Sequence, residues 1–341
     1  MDGGGNVNLY DRVLGLNRRM VAPMVGYPGI RWTGKRVKDA LCDPRIHGEV
    51  LERVYDYLDP DMLFTLLDLT VEAEALGMPV EFQERRPPRL VKRGGLDLEL
   101  LAEREIPDPE ESGRMPLFLE AAEQAASFGD CLVAGYVTGP LTLLVQLAGM
   151  TSISRALREC VDMEEVGEAL RFATRVVGEY AAALSSRLDV VVVVDPAVEA
   201  LRPSVFHRVY LPFVRGLSGI IHGSGAACLF HVCGDITPLT LEFSACGVDG
   251  LILDPRTDII RAAEEAPSSF LILGNLDPVG ILRRGTPDDV RLEVRRLLRK
   301  MRGFRSFVLS TGCDVPLDVP LENLEAMVEE GRNWKPAYAL P

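Results

Sequence analysis

The chain has 341 residues, a hydrophobic fraction of 47% and a formal net charge of −13. The apolar content suffices for a large buried core, while the acidic balance excludes a nucleic-acid partner, which calls for a basic stripe. No run approaches the roughly 18 consecutive apolar residues of a membrane span, Met1-Asp-Gly-Gly-Gly-Asn6 lacks the regions of a signal peptide, and seven scattered cysteines make no disulfide framework. A cytoplasmic protein with no membrane partner is expected.

Eight apolar, β-rich runs follow one another: Met20 to Val25, Met62 to Leu67, Cys131 to Val137, Val190 to Val194, Ala227 to Val232, Val248 to Leu253, Phe270 to Leu273 and Ser306 to Leu309. They barely alternate with polar residues, which predicts parallel strands buried on both faces. Helical patterns lie between them. Val166, Leu170, Ala173, Val177, Tyr180 and Leu184 share one face of a long helix. Thr286-Pro-Asp-Asp289 reads as the cap and first turn of another, whose basic face from Arg291 to Arg305 is expected to be solvated. A last helix is expected from near Leu321 to just before Gly331. The polar stretch Glu84 to Pro116, with five prolines, reads as an excursion in the second crossover, and the tail from Trp334 as loosely packed. Strands alternating with helices in this number predict an α/β protein, a (β/α)8 TIM barrel. It would be one domain over residues 1–341 with its core from about 10 to 332, and a homodimer is an open option. An open doubly wound sheet would carry a dinucleotide glycine turn after its first strand, and Val25-Gly-Tyr-Pro-Gly29 lacks that spacing.

Barrel active sites form where strands end. Those positions hold Met24 and Tyr27, Asp68, Thr138 to Pro140, Asp195, His231 and Cys233, Asp254, Asn275 and Asp277, and finally Thr311 and Cys313. Two residues apart on a strand, His231 and Cys233 point the same way. One imidazole and two thiolates form a soft set that favours zinc, one ligand short of a closed tetrahedral site, as a catalytic metal requires. Against this, a lone cysteine is ordinarily a small buried hydrophobe, and Cys42, Cys131, Cys160, Cys228 and Cys246 are read so. His47, His207 and His222 fall in helical segments and read as surface or satisfied core residues. Asp68 and Asp195 suit helix capping and a site role equally, and Asp254 before Pro255 suits a turn.

The segment Phe230-His-Val-Cys-Gly-Asp-Ile-Thr-Pro238, with Gly247-Val-Asp249, resembles the corrinoid-dependent methyltransferase branch of the uroporphyrinogen decarboxylase superfamily, which includes methylcobamide:coenzyme M methyltransferases. Gly274-Asn-Leu-Asp-Pro278, Gly285-Thr-Pro287 and Ser310-Thr-Gly-Cys-Asp-Val-Pro316 are similar to its later motifs. Asp68 to Gly77, Gly139-Pro-Leu-Thr142 and Asp195-Pro196 match in the first half, so the likeness runs from Tyr10 to Arg332. It implies a uroporphyrinogen decarboxylase-like barrel with Zn2+ held by His231, Cys233 and Cys313. The zinc would activate a thiol acceptor such as coenzyme M, and the methyl would come from methylcobalamin or a corrinoid protein. Asp195 and Asp68 are then candidate catalytic residues, and Met24, Tyr27, Asn275 and Asp277 candidate substrate contacts. The open alternatives are uroporphyrinogen decarboxylation, methyl transfer to tetrahydrofolate, transfer from a methyl donor to the corrinoid, and a non-catalytic paralogue that docks a corrinoid protein. Decarboxylases carry paired arginines after the first strand for their substrate's carboxylates; Met24-Val-Gly-Tyr-Pro-Gly-Ile-Arg31 has no such pair.

Overall fold

The computed structural model describes residues 8–153 and 163–335; Cys160 and the chain end beyond Lys335 lie outside them. The strands are β1 (Met62–Phe64), β2 (Val80–Glu81), β3 (Arg89–Leu90), β4 (Leu132–Thr138), β5 (Val190–Val194), β6 (Ala227–Val232), β7 (Gly250–Leu253), β8 (Leu271–Leu276) and β9 (Phe307–Thr311). β2 and β3 form a separate antiparallel hairpin, with β2 just ahead of the predicted crossover excursion and β3 inside it. The other seven make one parallel sheet in the order β1-β4-β5-β6-β7-β8-β9. Spatial order follows chain order, with helices in the crossovers between neighbours.

The two edges of this sheet meet through residues 20–22. Leu309 donates its N–H to Met20 O at 3.0 Å, and Ala22 donates to Leu309 O at 2.8 Å. On the other side Asp61 donates its N–H to Val21 O at 3.0 Å, and the Asp61 carboxylate accepts the Val21 N–H at 2.7 Å. Both terminal guanidinium nitrogens of Arg18 hold that carboxylate at 2.6 Å. The ring is thereby a (β/α)8 barrel whose eighth member is a single bridge at Val21 rather than the full strand expected from Met20 to Val25. Two reasons cut it short. Pro23 has no N–H to offer a ladder, and a side-chain carboxylate takes the one that Val21 provides.

The layers explain the unalternated runs. Val190, Val192 and Val194 join Met24, Phe64, Tyr136, Leu229 and Leu273 inside the barrel, while Val191 and Val193 pack outward against the helices. All five valines are fully buried, each contributing about 1.5–3 kcal/mol relative to exposure. The capping box at Thr286 is present: its hydroxyl accepts the Asp289 N–H, and Asp289 returns the bond to the Thr286 N–H. The basic face that follows is less solvated than expected, since Arg295 forks onto Glu330 of the last helix with two bonds of 2.8 Å. That last helix spans Leu321–Asn333 and passes through Gly331. A Cβ at Gly331 would lie 2.5 Å from Leu309 Cδ2 and 2.8 Å from Val21 Cγ2. The glycine lets the helix press on the barrel seam; it is no stop signal.

Below the seam the buried Arg19 guanidinium donates to Met301 O at 2.9 Å, Phe304 O at 2.6 Å and Phe307 O at 3.3 Å. It gathers the carbonyls that leave the helix Pro287–Lys300, where a cation also meets the negative end of the helix dipole. Replacing Arg19 with Met should therefore cost about 3 kcal/mol, because the carbonyls stay buried without a donor. Urea unfolding checks this; an unchanged midpoint would refute a structural role for the cation.

Candidate metal centre

Strand parity decides which way the ligands face. Cys228, Phe230 and Val232 of β6 join the outer layer, so Ala227, Leu229 and His231 turn inward. The ladder pairs His231 with Ile252 of β7, and His231 Nδ1 lies 2.9 Å from Ile252 O. A carbonyl only accepts, so Nδ1 carries the proton and Nε2 offers its lone pair to the barrel mouth. Cys233 Sγ sits 3.3 Å from that Nε2 and 3.7 Å from Cys313 Sγ. All three donor atoms fall within 4.8 Å of one another. Zn–S bonds of about 2.3 Å and Zn–N bonds of about 2.0 Å, arranged tetrahedrally, separate ligand atoms by about 3.5–3.8 Å. The donor set fits such an ion.

Electrostatics prepares it. A hydrogen bond from Cys233 holds the Cys313 thiol well below its ordinary pKa despite burial, with His231 adding to the effect. The same bond, together with burial, keeps the proton on Cys233. Burial alone would lower His231, but the hydrogen bond and charge of Cys313 outweigh it and the net direction is upward. Beyond Cys233 the chain turns at Gly234, whose φ of 140° and closeness to the Glu199 carboxylate leave no room for a side chain. Asp254 forms the expected turn by accepting the Arg256 N–H at 2.9 Å. Arg256 then bridges Asp254 and Glu199, at 3.1 Å each, beside the Cys233 loop.

The other sequence candidates divide. Tyr27 shares a cleft of about 860 Å³ with Cys313, Asp314 and Leu67, and its hydroxyl donates to Leu67 O at 3.0 Å. Met24 lies inside the barrel beneath, its N–H bound to Thr311 Oγ1 at 3.0 Å. Asp68 is buried in an ion pair with Arg114 at 2.5 Å and accepts from Thr70 N and Oγ1 at 2.8 and 2.6 Å. Asp195 is fully buried. It accepts from Leu141 N at 3.2 Å, Thr142 N at 2.8 Å, Thr142 Oγ1 at 2.5 Å and the Tyr210 hydroxyl. It thus caps the helix Pro140–Ala148, which follows β4, although Asp195 itself follows β5. Asn275 spends its amide on Asp254 O and Thr257 O, and Asp277 caps the turn Pro278–Arg283 through Val279 N and Gly280 N. Neither of those two lines the cleft beside Cys313.

The remaining cysteines and histidines are engaged elsewhere. Cys228 and Cys246 are buried, whereas Cys42 and Cys131 are half-buried rather than core residues. His47 is a satisfied core residue that accepts the Leu66 N–H at 3.1 Å, and burial pushes its pKa down to about 3. His207 pairs with Glu242 and His222 with Asp249. Sequence reasoning missed Arg114, Tyr210 and the arginines of the cleft, which include Arg31, Arg85, Arg86 and Arg283. The doublet Arg85-Arg86 ahead of Pro87-Pro88 was a visible signal, but it lies in a segment that reads as a mere excursion.

Fold and site together define a parallel-stranded barrel protein with a His-Cys-Cys cluster at the strand ends. The chain belongs to the uroporphyrinogen decarboxylase family, whose model matches residues 16–334. It is 28% identical over 277 residues to the methylcobamide:CoM methyltransferase MtbA of Methanosarcina acetivorans, covering 79% of this chain and 78% of that protein. It is 29% identical over 293 residues to a uroporphyrinogen decarboxylase of Methylococcus capsulatus, covering 82% and 81%. The fold also matches a solved methyltransferase from Methanosarcina mazei with a TM-score of 0.85 and 21% identity, over 95% of this chain and 97% of that one. Among the described residues no helix is long and apolar enough to cross a membrane.

One buried carboxyl beside the mouth generates a pH prediction. Glu72 accepts from Thr138 N at 2.6 Å and Thr138 Oγ1 at 2.7 Å, yet burial, aided by the Asp68 charge, raises its pKa from 4.5 to about 7. The folded state then binds a proton that the unfolded state releases, so stability falls as pH rises from about 4.5 to about 7. Glu72→Gln should remove that slope and stabilise the protein at pH 8 by on the order of 2 kcal/mol. Urea midpoints measured across the range decide it, and a slope that survives the substitution refutes it.

Proposed function

We propose that this chain is a zinc-dependent methyltransferase that moves a methyl group between a methyl-corrinoid, free or carried by a corrinoid protein, and a thiol acceptor. The observation that carries this reading is the His231, Cys233 and Cys313 cluster, tight enough for one ion and bordered at Cys313 by a cleft. Kinship with methylcobamide:CoM methyltransferases supports it. Ion and acceptor would share the barrel mouth. A zinc ion held there supplies Lewis acidity that favours thiolate over thiol at neutral pH.

The chain's own groups do the rest. Ile252 O fixes the His231 tautomer, so Nε2 is aimed without reorganisation. Cys313 leans toward thiolate while Cys233 keeps its proton, so a bound ion would displace that proton from Cys233. Tyr27, Leu67 and Val315 wall the cleft with apolar surface that limits water around the reacting sulfur. The acceptor sulfur attacks the methyl carbon in line: the S–C bond forms, the Co–C bond breaks, and its electron pair stays on cobalt, which passes from Co(III) to Co(I). Asp68 and Asp195 serve as positioning residues, the first anchoring Arg114 and the second holding the helix after β4. Asn275 fixes the loop after β7 and Asp277 the turn after β8.

The arginines of the cleft favour a second reading, decarboxylation of a porphyrinogen acid, but that reaction leaves the three soft ligands without a task. Metal analysis followed by the loss of methylcobalamin absorbance with thiols separates the two. Full activity in metal-free protein would sink the proposed mechanism, and coproporphyrinogen formation would establish the competitor. Cys313→Ala should lose metal and methyl transfer together, by at least 100-fold in rate on the order expected for a lost ligand, while circular dichroism stays that of a folded barrel. Unfolding of that variant would make the metal structural instead.

A further inference from the structure

Among the described cysteines only Cys233 and Cys313 bring their sulfurs together, at 3.7 Å. The others stand apart from one another: Cys131 spends its thiol on Phe128 O at 3.4 Å and Cys246 on Glu242 O at 3.2 Å. Cys233 and Cys313 are both free thiols and only half-buried. A disulfide bond is about 2.05 Å long, so rotation about the two Cα–Cβ bonds has a short gap to close. The chain holds Cys313 firmly, since Gly312 donates its N–H to Leu276 O at 2.8 Å and lies tight against Pro255. Cys233 opens a loop through Gly234, whose φ of 140° only glycine adopts freely.

The pair is also within reach of small molecules. Cys313 borders the cleft of about 860 Å³ that opens at the barrel mouth, and a peroxide is far smaller than that space. Two sulfurs so placed have two exclusive uses. Either both give a lone pair to one ion, or they bond to each other. The second use removes two of the three donors and leaves His231 alone, and a single imidazole is no zinc site.

We propose that Cys233 and Cys313 form a reversible disulfide that empties the metal site, a redox switch closed by hydrogen peroxide and reset by a dithiol. Its effect on activity rests on the methyl-transfer reading above; the bridge itself does not. One sulfur attacks the O–O bond of the peroxide, which breaks to give a sulfenic acid and water. The second sulfur attacks the sulfenic sulfur: the S–S bond forms, the S–O bond breaks and a second water leaves. The two thiols give up two electrons and two protons, and the peroxide takes both as it becomes two waters. Reset is thiol–disulfide exchange, in which the dithiol is oxidised to its own disulfide and both cysteine thiols return. A bound ion engages the same lone pairs and so protects the pair.

The test treats zinc-loaded and metal-free protein with equimolar hydrogen peroxide and reads titratable thiols, zinc captured by a chromogenic chelator, and the masses of proteolytic peptides. The expected result is loss of two thiols per chain, a peptide pair joining Cys233 to Cys313, and release of the ion in step with the bridge. Metal-free protein should bridge at least about tenfold faster, because its sulfurs are not engaged. Dithiothreitol should restore both thiols and the uptake of zinc. The Cys42→Ser/Cys131→Ser double variant should behave like the unsubstituted protein, whereas Cys233→Ser should end bridging and leave Cys313 to proceed to a sulfinic acid. Peptide mapping of the unsubstituted protein decides the matter even if that last variant fails to fold. A bridge between other cysteines, sulfinic acid on Cys313 of the unsubstituted protein without a bridge, or zinc released with both thiols intact overturns the switch. Equal rates with and without zinc refute the competition between ion and bond. Protein that bridges and resets by these readouts, yet methylates no thiol from methylcobalamin, keeps the switch and sinks only the transfer reading.

Discussion

Closure of the ring at Val21 is the constraint on which the rest depends. Seven parallel strands in chain order would make an open, curling sheet, and β6 and β9 would then lie three places apart along it. The bonds among Met20, Ala22 and Leu309 on one side, and between Val21 and Asp61 on the other, force the sheet round on itself. Only with that curvature do the thiols of Cys233 and Cys313 come within 3.7 Å of each other. The seam is held by a carboxylate where a regular ladder would use a carbonyl, with Arg18 compensating its charge. A short chain segment thus does the work of a strand.

Around the mouth, polar groups serve mainly to fix geometry. Asp195, Asp68, Asn275 and Asp277 all sit at or just beyond strand ends, and each has its acceptors or donors committed to neighbouring loops or helices. The links run sideways: a residue after β5 caps the helix after β4, and an amide near the end of β8 binds carbonyls after β7. Such lateral bonds turn separate loops into a belt. The groups that could hold a metal ion are few and distinct from it, namely one imidazole with a fixed tautomer and two thiols sharing a proton. That division follows from what each group can donate or accept.

Much of this was legible in the chain. The unalternated valines of 190–194 announced a strand buried on both faces, and β5 and β6 begin and end where the apolar runs do. His231 and Cys233 declared themselves by a two-residue step at the end of a strand, and Cys313 by its place after the last one. What the sequence hid was whatever depends on contacts between distant segments. Pro23 hinted at a broken strand, but nothing local says that Asp61 will take the Val21 N–H. Asp68 and Asp195 were evenly balanced between two roles because a carboxylate reads the same whether it meets substrate or an Arg114 situated 46 residues away. Gly331 resembles a helix terminator until the seam it presses against is in view. Arg85 and Arg86 sat in a segment whose proline content reads as loop, and their position beside Cys313 is a matter of the crossover's path.

The hairpin of β2 and β3 lies outside the ring and adds no strand to it. Two kinds of named relative, a methyltransferase and a decarboxylase, stand at 28% and 29% identity to this chain, so overall resemblance cannot tell their trades apart. A hairpin hung from a crossover can drift in sequence while the ring's folding stays untouched, because no barrel strand pairs with it. The ring and its appendage can therefore evolve at different speeds within one chain.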